Sequence, residues 1–280
     1  MRSSTEPDRR TRKRLARRDA LLDLAADLVE RDGVDGVTMA ALAGAADYAT
    51  ASLYTYFSSR SALLAALQRR ALTTLAKVAE SHVSEWDDLL ERATPRPDPR
   101  TAALARLWGF SELFLTAPEH HAREFRLQQQ LLVTTGAEAT EDAASVVPVA
   151  MVVLDVPRRL LAAATDAGAL SKGRPSTDPV GAPLDPTAVR TFAWIVAMNG
   201  ALMVDGLATG LPSTGHALGQ ELTSSLLSGW GASAEALADA RELADEFARR
   251  RALLATGTTA RPVAGPADGR PAGSTHGAPS

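Results

Sequence analysis

Residues 37–57 read VTMAALAGAADYATASLYTYF, and residues 58–67 continue as SSRSALLAAL. This stretch predicts a short helix, a tight turn and a second short helix that ends in the aromatic cluster LYTYF at residues 53–57. Thr38 is placed to cap the first helix, and Asp47 fills the turn. The second helix is small enough for a DNA major groove, so the pattern is typical of a helix-turn-helix unit that binds DNA.

The segment before this stretch is basic. Residues 1–20 carry eight Lys or Arg and three Asp or Glu, whereas the whole chain has a formal net charge of −3. DNA binding needs a local basic surface rather than a basic protein. We therefore expect a basic arm that includes Arg12, Lys13 and Arg14, with residues 1–10 disordered when no DNA is present.

Composition excludes several classes of protein. The chain has no cysteine, which rules out disulfides and thiolate metal sites. Its 45% hydrophobic content is enough for a sizeable core, and the abundance of Ala and Leu favours helices. The apolar stretch 191–204 is shorter than the roughly 18–20 residues that cross a membrane. Acidic residues such as Asp23 and Asp27 interrupt what would be the apolar part of a signal peptide. We expect a cytoplasmic protein without a membrane partner.

The periodicity of apolar residues predicts an all-α fold. We expect an N-terminal three-helix helix-turn-helix DNA-binding domain and a C-terminal helical domain for ligand binding and dimerisation. The expected boundaries are a disordered basic arm at 1–10, the DNA-binding domain at 11–60, a connecting helix at 61–92, the regulatory and dimerisation domain at 100–255 and a disordered tail at 256–280. Pro148 and Pro157 are expected to interrupt the helical stretch 143–169, and no strand is expected.

Residues 19–67 resemble the TetR family of one-component bacterial repressors. The most specific part is SLYTYFSSR at residues 52–60, which is similar to the family's recognition helix and the start of its fourth helix. Two features depart from the family pattern. Asp47 stands where the family usually has Gly, and Tyr48-Ala49 stands where it often has an aliphatic residue followed by Ser or Thr. These departures concern base contacts more than the motif, because Asp tolerates a left-handed turn better than most residues.

Two sets of side chains are candidates for DNA contact. Packing of the helices should leave four free to face base edges: Thr50, Ala51, Ser52 and Thr55. The resemblance assigns phosphate contacts to four others: Thr38, Tyr54, Tyr56 and Arg60. It also implies a homodimeric regulator, usually a repressor, that binds a near-palindromic double-stranded DNA operator and is released by a small molecule.

The later helices are expected to hold an apolar pocket for a small hydrophobic or aromatic effector. Its walls would come from stretches 101–135, 143–169 and 187–208, and loop 171–186 could gate it. The candidate lining residues are Trp108, Phe110, Phe114, Phe125, Trp194 and Met198, although their apolar periodicity favours a place in the core or dimer interface. Dimerisation is expected on helices 187–208 and 214–228, with Leu218 and Leu222 at the interface.

Other interpretations remain. His120, His121 and Glu124 lie within one helical turn, but three ligands without a known metal motif favour a solvated helix face. We expect no catalytic residue, metal or cofactor, and hence no enzyme. The first alternative is a plain helical bundle. The second, from another class, is a helical ligand-binding protein or enzyme that has lost operator recognition, which the altered turn at 47–49 supports.

Overall fold

The computed structural model describes residues 9–134, 140–177, 181–207 and 213–257. Within these ranges the chain is almost entirely helical, as predicted. The helices are α1 (Arg9–Gly36), α2 (Met39–Ala46), α3 (Thr50–Leu53), α4 (Arg60–Arg92), α5 (Pro99–Leu115), α6 (Ala117–His120), α7 (Ala122–Thr134), α8 (Thr140–Asp166), α9 (Pro186–Leu207), α10 (Gly215–Gly229) and α11 (Ala234–Gly257). Residues 1–8 of the expected arm and residues 258–280 of the expected tail lie outside the described residues.

Helices α1, α2 and α3 pack with residues 60–71 of α4 around one core, and we call this unit the N-terminal domain. Apolar residues of α1 at helical spacing, including Leu22, Ala26 and Val29, are buried there. Helix α1 begins at Arg9, two residues earlier than expected, since Arg is a good helix former. Its regular part ends at Gly33, which has a φ of 73°.

Helix α3 is shorter than the sequence indicated. It covers Thr50–Leu53, and residues 54–56 form a turn instead of continuing to Phe57. The hydroxyl of Thr55 donates to the carbonyl oxygen of Ser52 at 2.7 Å, and the N–H of Tyr56 donates to Leu53 at 2.8 Å. These bonds span three residues, which tightens the chain out of α-helical geometry.

Helix α4 connects the two halves of the molecule. The side chain of Ser59 accepts a hydrogen bond from the N–H of Ala62 at 2.9 Å and caps its first turn. Further along, Val83, Trp86 and Leu90 enter a second core with α5, α8, α9, α10 and α11. We call residues 72–257, as far as they are described, the C-terminal domain.

Two expectations about the C-terminal domain are wrong. Helix α8 runs without interruption through Pro148 and Pro157. Each proline removes only one backbone hydrogen bond, and packing of the C-terminal half of α8 into the core outweighs that loss. The loop before α9 also contains a small antiparallel pair, β1 (Ser176–Thr177) and β2 (Pro183–Leu184), with Thr177 opposite Pro183. Strands of two residues are too short to produce an alternating pattern in the sequence.

Helix α9 is longer than the apolar stretch read from the sequence. Its segment Pro186–Asp205 has 20 residues and a mean hydropathy of 1.3, so by length and composition alone it could cross a membrane. Only 28% of that window is buried. A single helix of this kind does not indicate a span, because a helix that packs on another subunit has the same composition.

Candidate nucleic-acid interface and buried cavity

The turn between α2 and α3 has helix-turn-helix geometry despite its unusual sequence. Asp47 adopts the left-handed conformation, with φ 54° and ψ 47°. Its N–H and that of Tyr48 donate to carbonyl oxygens near the end of α2, the latter to Ala43 at 2.9 Å. Asp47 therefore occupies the backbone position that Gly usually fills in the family, and the turn that favoured the second alternative has ordinary geometry.

Helix α3 presents one apolar face and one open face. Leu53 is 0% exposed and Phe57 is 2% exposed, which fixes the helix on the core of the N-terminal domain. The four side chains expected at base edges all lie exposed on the other side: Thr50, Ala51, Ser52 and Thr55. Ala49 precedes the helix without a side-chain cap, so Thr50 is its first residue and not the cap.

The expected phosphate contacts occupy more varied environments. Tyr54 is 52% exposed, while Tyr56 is half-buried against the core of the N-terminal domain. The hydroxyl of Thr38 accepts from the N–H of Ala41 at 3.0 Å and keeps its own hydrogen for another acceptor. Arg60 donates from Nε to the carbonyl oxygen of Val37 at 2.6 Å. Arg60 therefore ties α4 to the start of α2, and its phosphate contact stays a prediction.

The basic residues before the motif lie beside α3. Arg12, Lys13 and Arg14 form an early turn of α1 and are exposed. The Nη2 atom of Arg14 donates to the carbonyl oxygen of Thr55 at 3.0 Å. The guanidinium of Arg18 lies 5.1 Å from the centre of the Phe57 ring. The start of α1 therefore extends the exposed surface of α3 with positive charge.

A cavity of ≈ 350 Å³ lies in the C-terminal domain, between α4, α5, α7, α8 and α9. Its walls are mainly apolar, and its aromatic side chains touch edge to face. The Phe114 and Phe125 rings are 5.8 Å apart at 84°, and behind the lining Phe114 also meets Trp194 of the surrounding core at 5.5 Å and 78°. Cavities of this size and character are typical of sites for small organic molecules.

The six aromatic and Met candidates divide into two groups. Phe110, Phe114 and Phe125 line the cavity. Trp108, Trp194 and Met198 are buried in the surrounding core instead. The polar lining side chains are His121, Gln128, Gln129 and Asn199, which the sequence analysis did not single out for this role. From sequence alone, a polar residue in an amphipathic helix is expected to face solvent. The inward orientation of these four side chains depends on how α6, α7 and α9 pack, which the sequence pattern does not show.

Helix α7 touches both domains. Phe125 and Gln128 line the cavity, while Leu127 is buried in the core of the N-terminal domain. Arg123, on the same helix, donates from Nη2 to the carboxylate of Asp27 at 2.7 Å and to the carbonyl oxygen of Asp23 at 2.9 Å. A shift of α7 would thus act directly on α1.

The expected dimer residues Leu218 and Leu222 are half-buried on α10. A stronger candidate surface lies on α9, where four large apolar side chains are exposed along one face: Val189, Phe192, Val196 and Met203. We call these residues the α9 stripe. Their spacing of three, four and seven residues places them in line on the helix. Among the residues that the structure describes, no group of three or more His, Asp or Glu could hold a metal ion.

An exposed helix held by a turn and a buried core, beside a basic helix, defines a helix-turn-helix DNA-binding protein. Residues 21–67 match the sequence pattern of the family described as "Bacterial regulatory proteins, tetR family". The N-terminal domain is therefore a DNA-binding domain of the kind found in that family of transcriptional regulators. A comparison with curated proteins gave no match.

Solved structures share the fold over most of this chain at low sequence identity. A protein of unknown function from Rhodococcus sp. RHA1 is 20% identical, with 82% of this chain and 99% of that chain covered and a TM-score of 0.55. The fatty acid degradation regulator FadR from Bacillus halodurans is 16% identical, with 75% and 98% covered and a TM-score of 0.51. RolR, in complex with resorcinol, is 21% identical, with 84% and 95% covered and a TM-score of 0.50.

Proposed function

We propose that this regulator is a cytoplasmic, homodimeric repressor that leaves a near-palindromic operator when a small hydrophobic effector occupies the cavity. The observation that carries this proposal is the double contact of α7. The helix lines the cavity with Phe125 and Gln128, and it holds α1 through Arg123 and Leu127. An effector that favours one position of α7 would also favour one orientation of the N-terminal domain.

On the operator, each subunit places α3 in a major groove. Its exposed residues Thr50, Ala51, Ser52 and Thr55 read base edges, while Thr38, Tyr54, Tyr56, Arg60 and the basic turn at 12–14 bind phosphates. Two such helices about 34–36 Å apart fit successive grooves of a palindrome. Effector binding changes that spacing, and a coupling of about 1–3 kcal/mol is enough for regulation.

The α9 stripe supports dimerisation. Val196 is 69% exposed, which is unusual for a large apolar side chain in the middle of a helix. Pairing α9 and α10 with the same helices of a second subunit would bury the stripe in a four-helix bundle. Gly200 lies on the same face, and apart from the adjoining residues of its own helix, a Cβ atom at this position would meet no atom of the same protomer within 4 Å. This open space allows a helix of the second subunit to approach α9 closely.

The chemistry of the cavity supports a hydrophobic effector. The structural neighbour RolR was solved with resorcinol, a small aromatic molecule. The cavity of this chain has four Phe rings in its lining. Phe192 belongs both to that lining and to the α9 stripe. A ligand in the cavity would therefore contact a side chain of the proposed dimer interface.

DNA binding is tested with duplexes selected from a random pool, measured over a range of salt. We expect affinity to fall steeply as salt rises, and Lys13→Ala to reduce the slope of log affinity against log salt by about one. The matched control is Lys77→Ala, because Lys77 is an exposed lysine of α4 far along the chain from α3. A salt-independent affinity, or equal slopes for both variants, would contradict the proposed phosphate contacts.

The dimer is tested with Val196→Glu, which places a charge in the α9 stripe. We expect a monomer by light scattering at micromolar concentration, and weak operator binding because both half-sites are no longer held together. Ala163→Glu, at an exposed position of α8, is the control and should remain dimeric. A wild-type monomer would rule out the proposed assembly.

A further inference from the structure

The cavity is lined by three carboxamide side chains, and two of them are hydrogen-bonded to each other. The Nε2 atom of Gln129 donates to Oδ1 of Asn199. The Nδ2 atom of Asn199 in turn donates to the backbone carbonyl oxygen of Ile195 at 2.8 Å. This arrangement joins α7 to α9 and engages one N–H of each amide and the oxygen of Asn199.

The third carboxamide is different. Oε1 of Gln128 is fully buried and has no hydrogen-bond partner among the described residues. A buried carbonyl oxygen without a donor is costly, and native proteins rarely leave one in that state. Since Gln128 also lines the cavity, a donor on a molecule inside the cavity would remove that cost.

The remainder of the lining limits the charge of such a molecule. Of the described lining residues, none is Asp, Glu, Lys or Arg. Apart from the imidazole of His121, the described lining offers an ionised ligand no counter-charge for the hydration that it would lose, so an ionised form is disfavoured. A neutral molecule does not meet this barrier.

The walls and the volume limit its shape. Phe110, Phe114 and Phe125 offer ring faces and edges to a planar apolar body. At the packing density of a protein interior, the cavity volume of ≈ 350 Å³ corresponds to roughly 260 Å³ of ligand. A bicyclic or tricyclic aromatic compound fits within that volume.

We propose that the effector is a neutral, mainly aromatic molecule with one hydroxyl or N–H group that donates to Oε1 of Gln128. Gln128 is then the residue that determines specificity for that group over the parent hydrocarbon. This inference rests on the proposed function insofar as the cavity is the effector site. The binding chemistry itself requires neither DNA nor a dimer.

The test is calorimetric titration of the full-length protein, without DNA, with three probes of one shape: 2-naphthol, naphthalene and 2-naphthoate. We expect 2-naphthol to bind about ten- to a hundredfold more tightly than naphthalene, since the buried acceptor is satisfied only by the hydroxyl. The anion 2-naphthoate should bind most weakly. In Gln128→Leu the preference for the hydroxyl should vanish while naphthalene still binds.

Arg126→Gln is the control, because Arg126 is an exposed residue of the same helix that does not line the cavity, and it should keep the wild-type preference. Equal affinity for 2-naphthol and naphthalene in the wild type, an unchanged preference in Gln128→Leu, or no binding of any probe by the folded protein overturns the proposal. Failure of the protein to bind any selected duplex at low salt would refute the proposed function instead, and these titrations would be unaffected.

Discussion

The two domains of this protein pack their helices differently. In the N-terminal domain, the core is filled by side chains that are each 0% exposed, among them Leu42 of α2, Leu53 of α3 and Leu63 of α4. In the C-terminal domain, longer helices meet around a cavity of ≈ 350 Å³, with the partly exposed Phe114 and Phe192 in its lining. One domain holds a surface in a fixed shape, whereas the other keeps internal space that a ligand can fill.

This difference separates the two tasks of a regulator. Base recognition requires side chains held within a fraction of an ångström, and a filled core provides that rigidity. Sensing requires a region with more than one packing arrangement of similar free energy. The predictions below test the contrast, and the chain provides a convenient readout. All three Tyr lie at positions 48–56 in the N-terminal domain, and all four Trp lie at 86–230 in the C-terminal domain.

The largest effect is expected from deletion of core side chains. Leu53→Ala should destabilise the N-terminal domain by about 2–5 kcal/mol and abolish operator binding, since it opens a cavity under α3. Leu75→Ala, which enlarges a cavity that already exists, should cost only about 1–2 kcal/mol. Urea unfolding, followed by Tyr and Trp emission separately, measures both. Equal costs for the two variants would remove the contrast between the domains.

A smaller effect is expected at the contact between the domains. Arg123→Gln removes the ion pair with Asp27, whose side chains are partly exposed, so its loss should change stability by less than about 1 kcal/mol. The coupling between effector and operator should fall by about 0.5–2 kcal/mol, because α7 no longer holds α1 by charge. The measurement is the ratio of operator affinities with and without a ligand found by thermal shift. Arg126→Gln serves again as the control, and a full response in Arg123→Gln would show that coupling runs elsewhere.

Substitutions of Asp47, in the turn between α2 and α3, should change stability by about 1 kcal/mol or less. Asp47 has a left-handed backbone conformation, so Asp47→Gly relieves strain but increases the entropy of the unfolded chain. The difference should stabilise the N-terminal domain by about 0.5 kcal/mol. Asp47→Ala should destabilise it by about 1 kcal/mol, because Ala gains nothing in the left-handed region. Thermal unfolding followed by Tyr emission distinguishes these signs, and stabilisation by both variants would contradict the assigned conformation.

The smallest effect is a pH dependence confined to the C-terminal domain. Burial lowers the pKa of His82, whose ring meets Trp86 edge-on. The unfolded chain therefore binds a proton more readily than the folded protein once the pH falls below about 6.5, and stability decreases there. Above that pH both states are neutral and the effect disappears. We expect the melting temperature, followed by Trp emission, to fall as the pH is lowered from 7.5 to 5.5. The decrease should be smaller in His82→Gln. Identical pH profiles for the two proteins would exclude His82 as the cause.

The sequence predicted the N-terminal domain well because its signals are local. The cap at Thr38 and the left-handed turn at Asp47 each depend on residues within one helical turn. The length of α3 was overestimated, because hydrogen bonds of the Thr55 hydroxyl and the Tyr56 N–H decide where it ends. The periodicity of apolar residues, from which the helix was predicted, does not depend on these hydrogen bonds.

The C-terminal domain was harder to predict because its features depend on long-range packing. Pro148 and Pro157 lie within a continuous helix that neighbouring helices hold in place. The inward orientation of Gln128 and the outward orientation of Val196 reverse what their polarity suggests. Neither follows from periodicity alone, since both require the relative rotation of helices far apart in the chain.

The two faces of α7 have a consequence for anyone who would redesign this protein as a biosensor. Changes at Phe125 or Gln128 alter ligand preference on a helix that also holds α1, so they should shift the basal output together with the response. Changes at Val153 or Leu154 alter the opposite wall of the cavity, on α8. Libraries that aim for a new inducer with an unchanged background should therefore begin on α8 and leave α7 for the final adjustment of threshold.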